Sequence, residues 1–149
     1  MMYNIGITWG AFDLLHYGHL ELLRRAKLQC SQLVVCVSTD DYVEKVKHLR
    51  PIVPWNERLA IVQACRFVGV VCPQGLNYPK LKAVRDYNPE VIFVGSDWKN
   101  VKWDGSNLGL PVVYIPRHEG ISSTGLRQQL QQRFRALQGT QGEVCKSPA

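Results

Sequence analysis

Two histidines, His16 and His19, stand three residues apart with Gly18 between them, just after the stretch Trp9-Gly10-Ala11-Phe12-Asp13. Where a helix begins, imidazole N–H donors and the free amides of its first turn can converge on one point, and that point suits a phosphate. Gly18 admits close approach of the backbone to a ligand, or simply a tight turn. His19 also falls on an apolar stripe, so a hydrogen-bonded core histidine is the plainer reading of that residue alone. The second histidine and the glycine favour the phosphate. The chain has no G-x-x-x-x-G-K-[ST] and no G-x-G-x-x-G, which excludes the P-loop and dinucleotide fingerprints.

Three further groups could act on the same ligand. Lys45 and Lys47 lie in a polar stretch where a lysine could close over a polyphosphate, with solvated surface lysines as the alternative. Arg66 shares a helical face with Leu59 and Val62, and an inward arginine needs an anion unless it only complements a helix C-terminus. Arg117-His118-Glu119-Gly120-Ile121-Ser122-Ser123-Thr124 precedes the last helical segment. Its hydroxyls suit a helix cap and, with the first free amides, a phosphate.

The elements that would position these groups alternate along the chain. Apolar runs at residues 5–9, 33–38, 68–72, 91–94 and 112–115 read as strands. Helical patterns cover residues 18–28, about 54–67, 80–87 and a segment starting near Ser123. Residues 40–54 read as a loop or irregular turn, and residues 99–110 as a polar loop. The expected fold is α/β: a single Rossmann-like domain with a doubly wound, five-stranded, mostly parallel sheet and helices on both faces. The domain is expected over residues 1–135, with 136–149 as a flexible tail. The unusual residues all follow strands, which is where such sheets bind ligands.

Composition narrows the class without naming it. The chain has 149 residues, 46% hydrophobic and 20% charged, enough for one domain with a full core. No apolar stretch approaches the roughly 20 residues of a membrane span, and the first residues do not resemble a signal peptide, so a cytoplasmic protein is expected. Five cysteines without a C-x-x-C pairing suggest buried free thiols rather than disulfides or zinc. The net charge of +6 suggests an anionic partner, but the basic residues are scattered in pairs. Solvated faces explain that scatter better than a nucleic-acid stripe does.

Taken together, G-A-F-D-L-L-H-Y-G-H, S-T-D-D-Y, N-E-R, G-S-D-W and P-R-H-E-G-I-S-S-T resemble the cytidylyltransferase family of H-x-G-H nucleotidyltransferases, over roughly residues 3–132. The likeness is strongest to the small single-domain branch that acts on glycerol 3-phosphate. It implies transfer of CMP from CTP to a small phosphorylated alcohol, giving a CDP-alcohol and pyrophosphate, with Mg²⁺ carried on the triphosphate and a homodimeric enzyme. His16, His19, Lys45 or Lys47 (Lys45 preferred) and Arg117 would be catalytic. Trp9, Gly10, Ala11, Phe12, Gly18, Gly95, Asp97, Ile121, Ser122, Ser123 and Thr124 would bind the nucleotide, Asp97 accepting from the cytosine amine. Arg66, Asp13 and Lys45 would bind the acceptor, and no metal ligand is expected from the protein. Ala11, Gly69 and Ser96 stand where the family pattern has a threonine, an acidic residue and an aspartate, which leaves the acceptor alcohol open. The alternatives are transfer from ATP, another acceptor (ethanolamine phosphate, choline phosphate or a sugar phosphate), or a nucleotide- or RNA-binding module without turnover.

Overall fold

The computed structural model describes residues 2–141, with side chains through residue 138. Strands β1 (Tyr3–Gly10), β2 (Cys30–Ser38), β3 (Val70–Gln74), β4 (Val91–Gly95) and β5 (Val112–Ile115) form one sheet in the order β3-β2-β1-β4-β5. Every pairing is parallel. Helices α1 (Tyr17–Lys27), α2 (Asp40–Lys47), α3 (Trp55–Gln63), α4 (Lys80–Tyr87) and α5 (Ser123–Gln141) make the connections and the final segment. The doubly wound α/β fold expected from the sequence is therefore the fold observed.

Alternation along the strands builds a core on each face. Leu33, Val35 and Val37 of β2 pack with Leu23 and Ala26 of α1 and Val62 of α3. Val34 and Cys36 point the other way, to a layer that includes Ala83 of α4 and Trp103. Covering both faces is why β2 reads as a continuous apolar run rather than an alternating one. The chain winds outward from β1 to β3, then crosses through α4 to β4 on the other side of β1. β1 pairs with β4 at Gly6 opposite Val91 and Ile7 opposite Ile92, so Thr8, Trp9 and Gly10 reach past that pairing. A crevice opens there, at the point where the winding reverses.

Several boundaries differ from the sequence reading. Residues 40–47 are helical: Thr39 caps α2 by accepting from the Tyr42 amide, Asp40 and Asp41 sit in the first turn, and Lys45 and Lys47 in the last. That charge order complements the helix dipole. Only Val43 of α2 is buried, which left the pattern without a readable apolar stripe. Helix α3 stops at Gln63, not near residue 67. β3 runs through Pro73 to Gln74, which an edge strand allows because one side of its backbone needs no ladder partner. Helix α5 continues to Gln141, past the expected start of a tail at residue 136; residues 142–149 lie outside the described residues. Cys36 and Cys72 are joined as a disulfide, against the expectation of free thiols. The parallel register sets them directly opposite on β2 and β3, with Cα atoms 4.6 Å apart. Cys30 is a free buried thiol and Cys65 a half-buried one, while Cys145 is outside the described residues.

Candidate active site

The turn from β1 into α1 is held by the two histidines themselves. His16 is the N-cap of α1: its Nδ1 accepts from the Gly18 amide at 3.0 Å. Three residues on, His19 reaches back so that its Nδ1 accepts from the His16 amide at 3.3 Å. This is a capping box built from imidazoles, and the two rings stack with centroids 3.9 Å apart. Gly18 is required by that packing, because a Cβ there would lie 2.9 Å from the His16 ring. Burial, and then the charge of Arg117, lowers the His16 pKa. Burial, His16 and Lys47 draw His19 down to about 3, with Asp13 opposing. Both rings are therefore neutral near pH 7. With each Nδ1 accepting a backbone bond, each Nε2 carries the proton and is a donor free for a ligand.

Asp13 binds the front of the molecule to its back. Phe12 and Leu14, on either side of it, both have φ of 50°, a left-handed conformation that non-glycine residues adopt at a cost. The buried Asp13 carboxylate accepts from the amides of Ile52 and Val53 at 3.0 and 2.9 Å and from the Arg127 guanidinium on α5. Its backbone carbonyl accepts from the Ser123 hydroxyl at 2.7 Å. Burial pushes the Asp13 pKa up, but the two amides and Arg127 outweigh it and hold the carboxyl below its ordinary value. A carboxylate so committed is a positioning group. It lines the crevice where an acceptor-binding role is expected of it, with its oxygens bonded to Ile52, Val53 and Arg127. Arg58, fully buried on α3, does similar work: it donates to the carbonyls of Ala11 and Val53 and pairs with Asp40 at 2.6 Å.

The resulting crevice encloses about 400 Å³. Trp9, Gly10, Ala11, Phe12, Asp13, His16, Gly18 and His19 line it from the front; Gly95, Asp97, Arg117, Ile121, Ser122, Ser123 and Thr124 line it from the back. Ser122 caps α5, its hydroxyl accepting from the Gly125 amide at 3.0 Å. Arg117 and Asp97 form an exposed ion pair at 2.7 Å across the mouth. The Ser96 hydroxyl accepts from the Arg117 amide at 3.2 Å, so the serine beside Asp97 steadies the arginine. At Gly69 a Cβ would sit 3.0 Å from Gln32, which accounts for a glycine at that position.

Two expectations fail. Lys47, not Lys45, lines the crevice: two residues apart on a helix, the two side chains leave it on nearly opposite sides, and helix α2 turns Lys45 outward. Arg66 is exposed on a separate surface groove with Tyr17, Leu20 and Glu21, its guanidinium 5.1 Å above the Phe67 ring. The helical spacing that placed it beside Val62 does not apply, because α3 has already ended. Sequence reasoning quoted Arg58 in N-E-R without giving it a role, and it missed Arg127. Arg58 left one signal: it lies four residues before the buried Val62, a charged residue on the apolar face. Arg127 left none, since its partner is 114 residues away.

A second chamber of about 290 Å³ adjoins the crevice and shares Trp9, Gly10, Ala11, Lys47, Val94 and Trp98 with it. Tyr42, Lys80, Lys102, Trp103 and Asp104 complete its walls. Among the described residues, no three His, Cys, Asp or Glu side chains come together as a metal site. No described helix is long and apolar enough to cross a membrane.

A strand-to-helix turn with paired neutral imidazoles, facing a hydroxyl-rich helix start across a switch point, defines a nucleotidyltransferase-type site. The family model described as cytidylyltransferase-like matches residues 7–129, and the chain belongs to that family. It is 36% identical over 124 residues to a glycerol-3-phosphate cytidylyltransferase of Staphylococcus aureus, covering 83% of this chain and 92% of that one. It is 38% identical to the enzyme of that name from Bacillus subtilis, covering 83% and 95%. Among solved structures, a lipopolysaccharide core biosynthesis protein of Thermoplasma volcanium aligns with a TM-score of 0.64 at 25% identity, over 80% of this chain and 99% of that one.

Proposed function

We propose that this protein transfers CMP from CTP to glycerol 3-phosphate, releasing pyrophosphate and forming CDP-glycerol. The single observation that carries this reading is the crevice that His16 and His19, their Nδ1 atoms bonded to backbone, line together with the Ser122-Ser123-Thr124 start of α5. An oxygen of the acceptor phosphate attacks the α-phosphorus of CTP. The bond to the β-phosphate oxygen breaks, and pyrophosphate leaves with that electron pair. No protein nucleophile is needed; placed donors and cations stabilise the charge that builds on the reacting phosphorus. In this reading His16 and His19 donate to the α-phosphate, and the hydroxyls and free amides at α5 hold the outer phosphates with Arg117. Lys47 stands between crevice and second chamber, suited to bridging triphosphate and acceptor. Asp97 accepts from the cytosine amine once Arg117 turns from it to the phosphates.

The carboxylates at the crevice are already engaged, Asp13 with Arg127 and Asp97 with Arg117. Mg²⁺ thus fits as an ion carried by phosphate oxygens, where it would neutralise triphosphate charge. A soluble, cytoplasmic homodimer completes the reading, and a solution mass of two chains is its expected signature. The test is a pyrophosphate-release panel of CTP, ATP, UTP and GTP against glycerol 3-phosphate, ethanolamine phosphate, choline phosphate and sugar phosphates. CTP with glycerol 3-phosphate should be fastest. Faster turnover with ATP, or none with any pair, would overturn the assignment.

A further inference from the structure

The second chamber is walled by aromatic rings, Trp9, Tyr42, Trp98 and Trp103, with the carboxylate of Asp104 at its edge. Rings and a carboxylate around a small cavity are the means by which proteins hold an ammonium group. Here the chain supplies the ammonium itself. Lys80, the first residue of α4, places Nζ 5.9 Å from the Trp9 ring centroid and 5.7 Å from that of Tyr42. The same atom lies 2.8 Å from Asp104 and 3.4 Å from the Tyr42 hydroxyl. Only 12% of its side chain is exposed, against 75% for Asp104.

The lysine is held in place by the loop above it. Gly105 has φ of +117°, and a Cβ there would lie 2.6 Å from the Trp103 ring and 3.1 Å from Cδ of Lys80. Loop backbone, indole and lysine stem therefore pack directly on one another. Lys47 and Lys102 also line the chamber, so three lysines face one carboxylate.

We propose that Lys80 is the specificity-determining residue of the acceptor site: its ammonium occupies the chamber's cation-binding position, excluding alcohol phosphates that end in an ammonium and accepting those that end in hydroxyls. The inference rests on the reaction proposed above and names the class of acceptor that its second chamber takes. A second ammonium would meet a like charge at close range in a partly desolvated space, and Asp104 is already neutralised. A polyol end brings hydroxyl oxygens that accept from Lys80, and it leaves the Lys80–Asp104 pair intact.

Two readouts separate this claim from the reaction it depends on. The first is kcat/KM for glycerol 3-phosphate, ethanolamine phosphate and choline phosphate with CTP, for the wild type, Lys80→Met and Lys80→Ala. The second is tryptophan fluorescence titrated with choline alone, which needs no turnover. Lys80→Ala should raise the ratio of choline phosphate to glycerol 3-phosphate turnover about 100-fold, and choline should quench its fluorescence with a millimolar midpoint while leaving the wild type unchanged. Adding Asp104→Asn to Lys80→Ala should abolish the choline response. Both Lys80 variants keeping the wild-type ratio and showing no choline response, with native circular dichroism, would overturn the proposal. Choline binding gained by Lys80→Ala, in a protein whose wild type turns over no alcohol phosphate, would sink the reaction and support the filled cage.

Discussion

The crevice and the second chamber share the wall built by Trp9, Gly10 and Ala11, yet they satisfy their polar groups in opposite ways. In the crevice, each histidine spends one nitrogen on backbone two or three residues away and keeps the other for a ligand. In the chamber, the cation is consumed by partners 24 and 38 residues away in sequence. A site of the first kind is preorganised and open; one of the second kind is partly filled by its own fold. Preorganised donors speed a reaction because they need no reorientation as charge develops. A filled cavity mainly decides what is kept out.

The sharpest way to break this comparison is to remove a crevice donor without touching its structural bond. His16→Asn keeps a good N-cap side chain while losing the Nε2 donor, so kcat should fall about 100- to 1,000-fold with little change in melting temperature. His19→Ala should show a loss of similar size. Rate and melting temperature falling together in His16→Asn would mean that the imidazole matters only as a cap. Next in size is the lysine pair. Lys47→Ala should lower kcat about 100-fold, and Lys45→Ala by no more than about 3-fold, in parallel pyrophosphate-release assays. The reverse order would return the loop to the reading the sequence favoured.

Asp13→Ala probes the tie between front and back. Leaving Arg127 and two amides without their partner should cost about 3 kcal/mol in urea unfolding, and activity should be lost by collapse of the turn. Protonation gives a gentler test. His19 binds a proton at an ordinary pKa of 6.5 when unfolded but only near 3 when folded. Unfolded chains thus bind more protons between those values, and stability should decline as pH falls from 6.5 toward 3. Activity, by the same logic, should show no acidic limb near 6.5 from this residue. A limb there that disappears in His19→Asn would mean that the ring is charged in the working enzyme. Smallest of all, Arg66→Ala should leave the KM for glycerol 3-phosphate within about twofold, because its guanidinium lies on another surface.

What could be read from the sequence follows how local each contact is. The strands, α4, the start of α5 and the His16–Gly18–His19 turn were all visible, because periodicity and capping act over a few residues. Helix α2 was hidden, since a helix burying only Val43 leaves almost no apolar period to detect. Arg66 was misplaced because periodicity was carried past the end of α3.

By itself, the sequence determined the class of fold, the family and the donors at both ends of the crevice, since each of those is written in short strings of neighbouring residues. Only the tertiary structure decided that Asp13 ties the turn to Arg127, that Lys47 rather than Lys45 faces the crevice, and that Lys80 stands among aromatic rings. The physical reason is chain separation. Asp13 meets Arg127 across 114 residues, and Lys80 meets Tyr42 across 38. Such partners are set by strand order and helix rotation, which no local pattern encodes.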